Sequence, residues 1–225
     1  MPDHTLSIEP LIYAPPVEPH LDVLHADDDL LVIAKPSGLL SVPGKDPAHA
    51  DCIDQRAKSL YSDARIVHRL DLDTSGVMVL ARNKNAHRHL GLQFEKRQVT
   101  KTYVARVWGV MNDDAGEVDA PLICDWPNRP RQMIDHDRGR SAQTVWRVLT
   151  REPTATRVLL APRTGRSHQL RVHMLSLGHP ILGDNIYAHP DARKAAYRLQ
   201  LHAETLSFRH PTGGRPMAFQ APCPF

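Results

Sequence analysis

Short apolar runs of strand length, each closed by turn residues, outnumber the helix-length amphipathic segments of this chain, and the two kinds do not alternate regularly. Leu21 to His25 and Leu30 to Lys35 read as a hairpin across Ala26-Asp27-Asp28-Asp29, and Pro36-Ser37-Gly38 stops its second strand. Lys101 to Trp108 alternates, with Tyr103, Ala105 and Val107 on one face and Thr102, Val104 and Arg106 on the other. Ser141 to Leu149 and Thr156 to Ala161 form another pair across Arg151-Glu152-Pro153, and strands at Leu199 to Phe208 and Met217 to Phe219 close the chain. Helical composition is confined to Ala50 to Leu60, to Lys84 to Glu95 with Asn83 as N-cap, and to Ser167 to Leu177. In the last, Leu170, Met174 and Leu177 make a stripe that stops at Gly178. The fold class that follows is α+β, a mixed, largely antiparallel sheet with flanking helices and loops.

With 225 residues, 41% of them apolar and 24% charged, the chain has the composition of a soluble globular protein. Residues 1 to 19 are proline-rich and contain acids, without a basic start and an apolar block, and read as an N-terminal arm. Aliphatic runs such as Leu30 to Ala34 are far too short to cross a bilayer, so neither export nor a membrane partner is expected. Cys52, Cys124 and Cys223 are odd in number and widely spaced, which suggests neither a disulfide framework nor a cysteine zinc site and fits a reducing cytoplasm.

The net charge of +3 says less than its distribution. Residues 1 to 60 hold ten Asp/Glu against four Lys/Arg, whereas residues 129 to 171 hold ten Arg, no Lys and three Asp/Glu. Arginine has a planar fork that pairs with phosphate and stacks on bases, so this block points to RNA or another phosphate-rich partner; a solvated strand face with Arg–Asp pairs is the plainer alternative. Arg129, Arg131, Arg138, Arg140, Arg163 and Arg166 are the candidate phosphate contacts.

The chemically dense stretch is His68-Arg69-Leu70-Asp71-Leu72-Asp73-Thr74-Ser75-Gly76, which opens onto the apolar run Val77 to Leu80 and so sets a carboxylate at the mouth of a strand. Read alone, Asp71 is more readily a turn carboxylate, with Asp73 capping backbone donors around Thr74 and shaping the turn, Tyr103 is more often a core residue of its strand, and Arg171 is a structural ion-pair partner. The fourteen histidines do not form a metal motif: there is no HExxH. A five-residue spacing sets His168 and His173 about 140° apart on a helix. They are expected to be structural hydrogen bonders or, like His168, RNA contacts. Gly38, Gly44 and Gly76 form no phosphate-cradling fingerprint, so neither metal nor cofactor is expected.

Three segments taken together resemble the RluA family of pseudouridine synthases: His68-Arg69-Leu70-Asp71 with Thr74-Ser75-Gly76, Lys101-Thr102-Tyr103, and Gly165-Arg166-Ser167-His168-Gln169-Leu170-Arg171-Val172-His173. The resemblance continues through Lys35-Pro36-Ser37-Gly38-Leu39, through Leu122 to Pro130 and through Gly178 to Asp184, covering roughly residues 20 to 222. It implies a pseudouridine synthase catalytic domain over 20–225, with no room for the S4-like domain of larger relatives. It also implies isomerisation of uridine in RNA without cofactor or metal: the base is cut from C1′, rotated and rejoined through C5. By the resemblance the catalytic aspartate falls on Asp71, the stacking and proton-transfer tyrosine on Tyr103, the arginine that pairs with the aspartate on Arg171, and a residue that holds the displaced strand on Arg69. The implied substrates are stem-loops of 23S-type large-subunit rRNA and a tRNA anticodon stem-loop, bound by a monomer with no obligatory protein partner. Whether Asp71 attacks carbon or removes a proton stays open, and a non-catalytic RNA-binding module is the alternative function.

Overall fold

The computed structural model describes residues 13 to 225. In chain order its elements are β1 (Val23–Ala26), β2 (Leu30–Lys35), α1 (Ile53–Leu60), β3 (Arg65–Ile66), β4 (Ser75–Ala81), α2 (Lys84–Glu95), β5 (Thr100–Trp108), β6 (Ala115–Asp119), β7 (Leu122–Cys124), β8 (Gln132–Ile134), β9 (Gln143–Arg151), β10 (Ala155–Pro162), α3 (Gln169–Ser176), α4 (Pro190–Lys194), β11 (Leu201–Arg209) and β12 (Pro216–Gln220). One large sheet runs β1-β2-β4-β11-β5-β10-β9-β6, with β3 added to β4 and β12 to β11, while β7 and β8 form a separate hairpin. Every pairing is antiparallel except β4 with β11, so the α+β class and the mixed, largely antiparallel sheet are as the pattern predicts.

The unbroken apolar runs of β2 and β4 reflect burial on both faces. Leu30, Val32, Val77 and Val79 pack under Ala86 and Leu90 of α2, whereas Leu31, Ile33, Met78 and Leu80 pack under Ile53 and Ala57 of α1. The other half of the sheet is covered on one face: Ala105, Val107, Trp146, Val158 and Leu160 pack against Leu170 and Met174 of α3. The parallel contact of β4 and β11 joins the two halves, and it is at this junction that the chemistry-bearing segments meet.

Local capping explains the helix ends. Asn83 caps α2 as expected, its side-chain oxygen accepting from the Ala86 N–H at 2.8 Å. The helix expected from Ala50 starts instead at Ile53, because Cys52 is drawn into a bridge with Leu40. The helix expected from Ser167 starts at Gln169: its side-chain oxygen accepts from the Thr164 hydroxyl and the Arg166 N–H, folding the chain back so that His168 takes the left-handed conformation. Strands β3, β6, β7 and β8 and helix α4, each two to five residues long, have no counterpart among the elements the sequence predicts. Of the expected arm, residues 1–12 lie outside the described residues. Residues 13–19 carry no strand or helix and are tied down where the Tyr13 hydroxyl donates to the Asp51 carbonyl and Arg56 Nη2 donates to the Pro16 carbonyl at 2.8 Å. Among the described residues no helix is long and apolar enough to cross a membrane.

Candidate active site

The Asp71 loop exists because β4 changes partners along its length. Strand β3 pairs with it only at Leu80 and Ala81, and β11 only at Ser75 and Gly76. Between them the Val79 N–H is met by a side chain, donating to Nε2 of His68 at 3.1 Å, and the His68 ring stacks on Phe94 with centroids 4.6 Å apart. Burial, and secondarily the charge of Lys101, pushes the His68 pKa down to about 3, which keeps Nε2 an acceptor. Gly76 is required at the junction: it has φ +119°, and a Cβ there would lie 2.1 Å from the Ala203 carbonyl oxygen.

The loop backbone is then stitched to residues 35–41. Ser41 Oγ donates to the Leu70 carbonyl at 2.7 Å and accepts from its N–H at 3.2 Å, Lys35 Nζ donates to the Leu72 carbonyl at 2.9 Å, and Ser37 Oγ donates to the Asp73 carbonyl at 2.7 Å. These bonds occupy the main chain on both sides of Asp71 and leave its carboxylate, 31% exposed, facing a cavity. Lys35 is fully buried, and that burial brings its pKa down to about 7. The turn itself is closed by the Asp71 carbonyl, which accepts from the Thr74 N–H at 3.2 Å. Asp73, expected to shape that turn, contributes its backbone carbonyl, while burial raises the pKa of its side chain.

Tyr103 stands on β5 opposite Leu160 of β10 and Ala203 of β11, packed between the two halves of the core. Burial, then the nearby charge of Asp71, holds its phenol above the ordinary value, so the hydroxyl retains its proton. Arg171, on α3, is 3% exposed. Its strongest bonds go elsewhere than the sequence suggested: Nε and Nη2 donate to Asp184 at 2.7 and 2.6 Å, while Nη1 lies 3.8 Å from Asp71, beyond hydrogen-bond reach. Asp184 is 1% exposed and also accepts from the Ile186 and Tyr187 N–H groups. A buried guanidinium needs a buried counter-ion, and Asp71 at the cavity edge is too exposed to be that group. Burial opposes the charge of Arg171, but the Asp184 bonds outweigh it and hold the guanidinium above its ordinary pKa. Arg171 thus presents a fixed positive charge to Asp71 without being neutralised by it.

The cavity measures about 560 Å³ and brings together Arg69, Asp71, Tyr103, Arg163, Arg166, His168 and Arg171. It does not include Arg129, Arg131, Arg138 or Arg140. Those belong to the hairpin wall: the Arg129 guanidinium lies 3.3 Å above the exposed Trp126 ring, Arg131 Nη1 donates to the Ile186 carbonyl at 2.5 Å, and Arg138 pairs with Asp135 at 2.9 Å. His173, considered with His168 as a metal ligand, is committed to the Thr144 hydroxyl and the Ala120 carbonyl. Among the described residues no three His, Cys, Asp or Glu side chains are grouped to hold a metal ion.

Residues 29–176 match the family model for RNA pseudouridylate synthases. The chain is 53% identical over 204 residues to the dual-specificity RNA pseudouridine synthase RluA of Yersinia pestis, covering 90% of this chain and 99% of that protein. It is 54% identical over 214 residues to the RluA of Escherichia coli K12, covering 95% of this chain and 98% of the relative. This chain belongs to the RNA pseudouridylate synthase family. As such it is an isomerase that converts uridine in RNA to pseudouridine. The solved structure of human RNA pseudouridylate synthase domain containing 1 shares the fold with a TM-score of 0.76 at 29% identity, over 91% of the synthase and 84% of the human chain. That of human RNA pseudouridylate synthase domain containing 4 gives 0.72 at 30% identity, over 90% and 88%.

Other residues that line the cavity of the synthase were not singled out as functional from the sequence. Phe94 and Glu95 at the end of α2 and Arg97 in the turn that follows close the cavity on one side. Lys101 points into it from the same face of β5 as Tyr103, with burial lowering its pKa. The Lys-x-Tyr spacing carried the signal for Lys101, since residues two apart on a strand share a face. Asp184 was missed as the partner of Arg171 because it is thirteen residues away across a loop, where no periodicity connects the two.

Proposed function

We propose that Asp71 is the reacting carboxylate and that the synthase acts on stem-loops of large-subunit rRNA and of a tRNA anticodon arm. The convergence of Asp71, Tyr103 and Arg171 on one cavity carries the reading. Arg171 sets a positive charge 3.8 Å from the Asp71 carboxylate, the form that either a nucleophile or a proton acceptor uses. Tyr103 offers a flat ring for a uracil, a stacking contact of about 1–3 kcal/mol, and a protonated hydroxyl near the base. A stacked nucleotide hides its C1′–N1 bond, so the uridine enters flipped out, at a cost of a few kcal/mol that a loop nucleotide reduces. Arg69, Arg163 and Arg166 at the rim and the arginines of the hairpin wall then follow the phosphates. The dual substrate choice rests on relatives at this level of identity whose names carry dual specificity. The same reading places the enzyme in the cytoplasm as a monomer, in keeping with three free cysteines.

The deciding experiment is tritium release from stem-loop RNA labelled at uracil C5. Asp71→Asn is expected to lower turnover by more than about a thousandfold while RNA affinity stays within about threefold. Release at the wild-type rate from that variant defeats the assignment. Mapping pseudouridines in rRNA and tRNA of a strain lacking the gene tests the substrate choice.

A further inference from the structure

The turn after Asp184 links the β7–β8 hairpin to the cavity through a pair of hydrogen bonds. The Gln132 N–H donates to the Tyr187 hydroxyl oxygen at 2.7 Å, and that oxygen lies 2.7 Å from Nδ1 of His168. A phenol that accepts from an amide has one proton left to give, and Nδ1 of His168 is the acceptor in reach. The reverse arrangement, with Nδ1–H donating, leaves the proton of the buried Tyr187 phenol without an acceptor. The proton of His168 therefore resides on Nε2, which has no hydrogen-bond partner among the described residues. His168 lines the same cavity as Asp71 and is held there in a left-handed backbone conformation, φ +53°. The Tyr187 ring is itself clamped, with the Arg171 and Arg131 guanidinium carbons 5.0 and 5.2 Å from its centroid. Burial pushes the Tyr187 phenol up to about 12, so it keeps its proton, and burial lowers the pKa of His168.

We propose that His168 is a neutral hydrogen-bond donor to a carbonyl oxygen of the flipped uracil, and that Tyr187 positions it by fixing its tautomer and ring direction. The inference rests on the reading of the Asp71 cavity as the site of isomerisation. In that reaction the C1′–N1 bond breaks with its electron pair staying on the ring, C5 bonds to C1′, and the C5 proton leaves as N1 takes one up. While detached, the ring carries extra electron density on its carbonyl oxygens. A neutral Nε2–H stabilises that density and gives the turning ring a fixed partner, without surrendering its proton to the Asp71 carboxylate.

Full-length variants assayed by tritium release under saturating and subsaturating RNA test this. His168→Ala is expected to lower kcat about 100-fold, the loss typical of a removed oxyanion donor, with RNA affinity within about threefold. His168→Gln, whose amide nitrogen reaches the place of Nε2, should recover at least about tenfold over His168→Asn, whose amide reaches only the place of Nδ1. Tyr187→Phe keeps the ring but not the bond to Nδ1 and should lower kcat about tenfold with KM little changed. An unchanged kcat in His168→Ala, or His168→Asn matching His168→Gln, overturns the proposal. If in the same assays Asp71→Asn is inactive, only the role of His168 has failed; an active Asp71→Asn removes the underlying site assignment instead.

Discussion

The wall formed by α3 and the wall formed by the β7–β8 hairpin treat arginine in opposite ways. On the α3 wall, Arg171 is buried, doubly bonded to a buried carboxylate and held at one distance from Asp71. On the hairpin wall, Arg129 lies on an exposed tryptophan and Arg138 is 73% exposed beside Asp135. Buried charge is rigid because moving it away from its partner is costly, whereas exposed charge is screened and free to rearrange around a phosphate. The first kind of arginine sets a fixed electrostatic field at the Asp71 carboxylate, and the second supplies adaptable contact. Composition registers both as one basic block.

The contrast breaks most visibly at Asp184. Asp184→Ala leaves Arg171 buried without its carboxylate and is expected to cost about 3–5 kcal/mol in urea-unfolding free energy; a loss below about 1 kcal/mol would mean that Arg171 relaxes to solvent like the hairpin arginines. Next in size is the acid response of the loop's own anchor. The folded-state pKa of His68, about 3, lies below the unfolded value, so the unfolded chain binds a proton that the native chain refuses. Its contribution is complete above about pH 6.5 and is lost as pH falls toward the folded value, by up to about 1.4 kcal/mol per pH unit. Urea midpoints across this range should show the slope, and His68→Gln should flatten it.

On the hairpin wall the expected effects are smaller and salt-dependent. Arg129→Ala should weaken RNA binding by about 1 kcal/mol and lower the magnitude of the logarithmic salt slope by about one unit, with kcat unchanged, as titrations at several salt concentrations would reveal. A fall in kcat with no change in slope would place Arg129 with the rigid wall. Arg138→Ala should be the mildest, below about 0.5 kcal/mol in both stability and RNA affinity, because its pair with Asp135 is exposed.

The legibility of these regions differed for the same reason. Strand β4, helix α2 and the hairpin of β1 and β2 were readable because periodicity, a cap and a turn are local signals, and their bounds moved by two residues at most. The start of α3 shifted by two residues because Gln169 is held by Thr164 and Arg166 just upstream and by Gln143 and Thr144 across the fold, contacts that override a continuous helical pattern. Asp71, Tyr103 and Arg171 were legible as a set through motif order, but the partner of Arg171 was not. Motif order says which segments belong together and is silent on which of two carboxylates lies deeper.

What this sequence determined by itself is the α+β class and the apolar runs of strand length, which follow from residue type and spacing along the chain, while its three motif segments were marked out by resemblance to a known family. Only the tertiary structure decided that β4 exchanges partners around Val79, that Asp184 rather than Asp71 neutralises Arg171, and that Tyr187 turns His168 toward the cavity. Those are outcomes of burial, and burial is a property of where distant segments come to rest, since the cost of an unpaired charge or an unmet hydrogen bond arises only once water has been excluded.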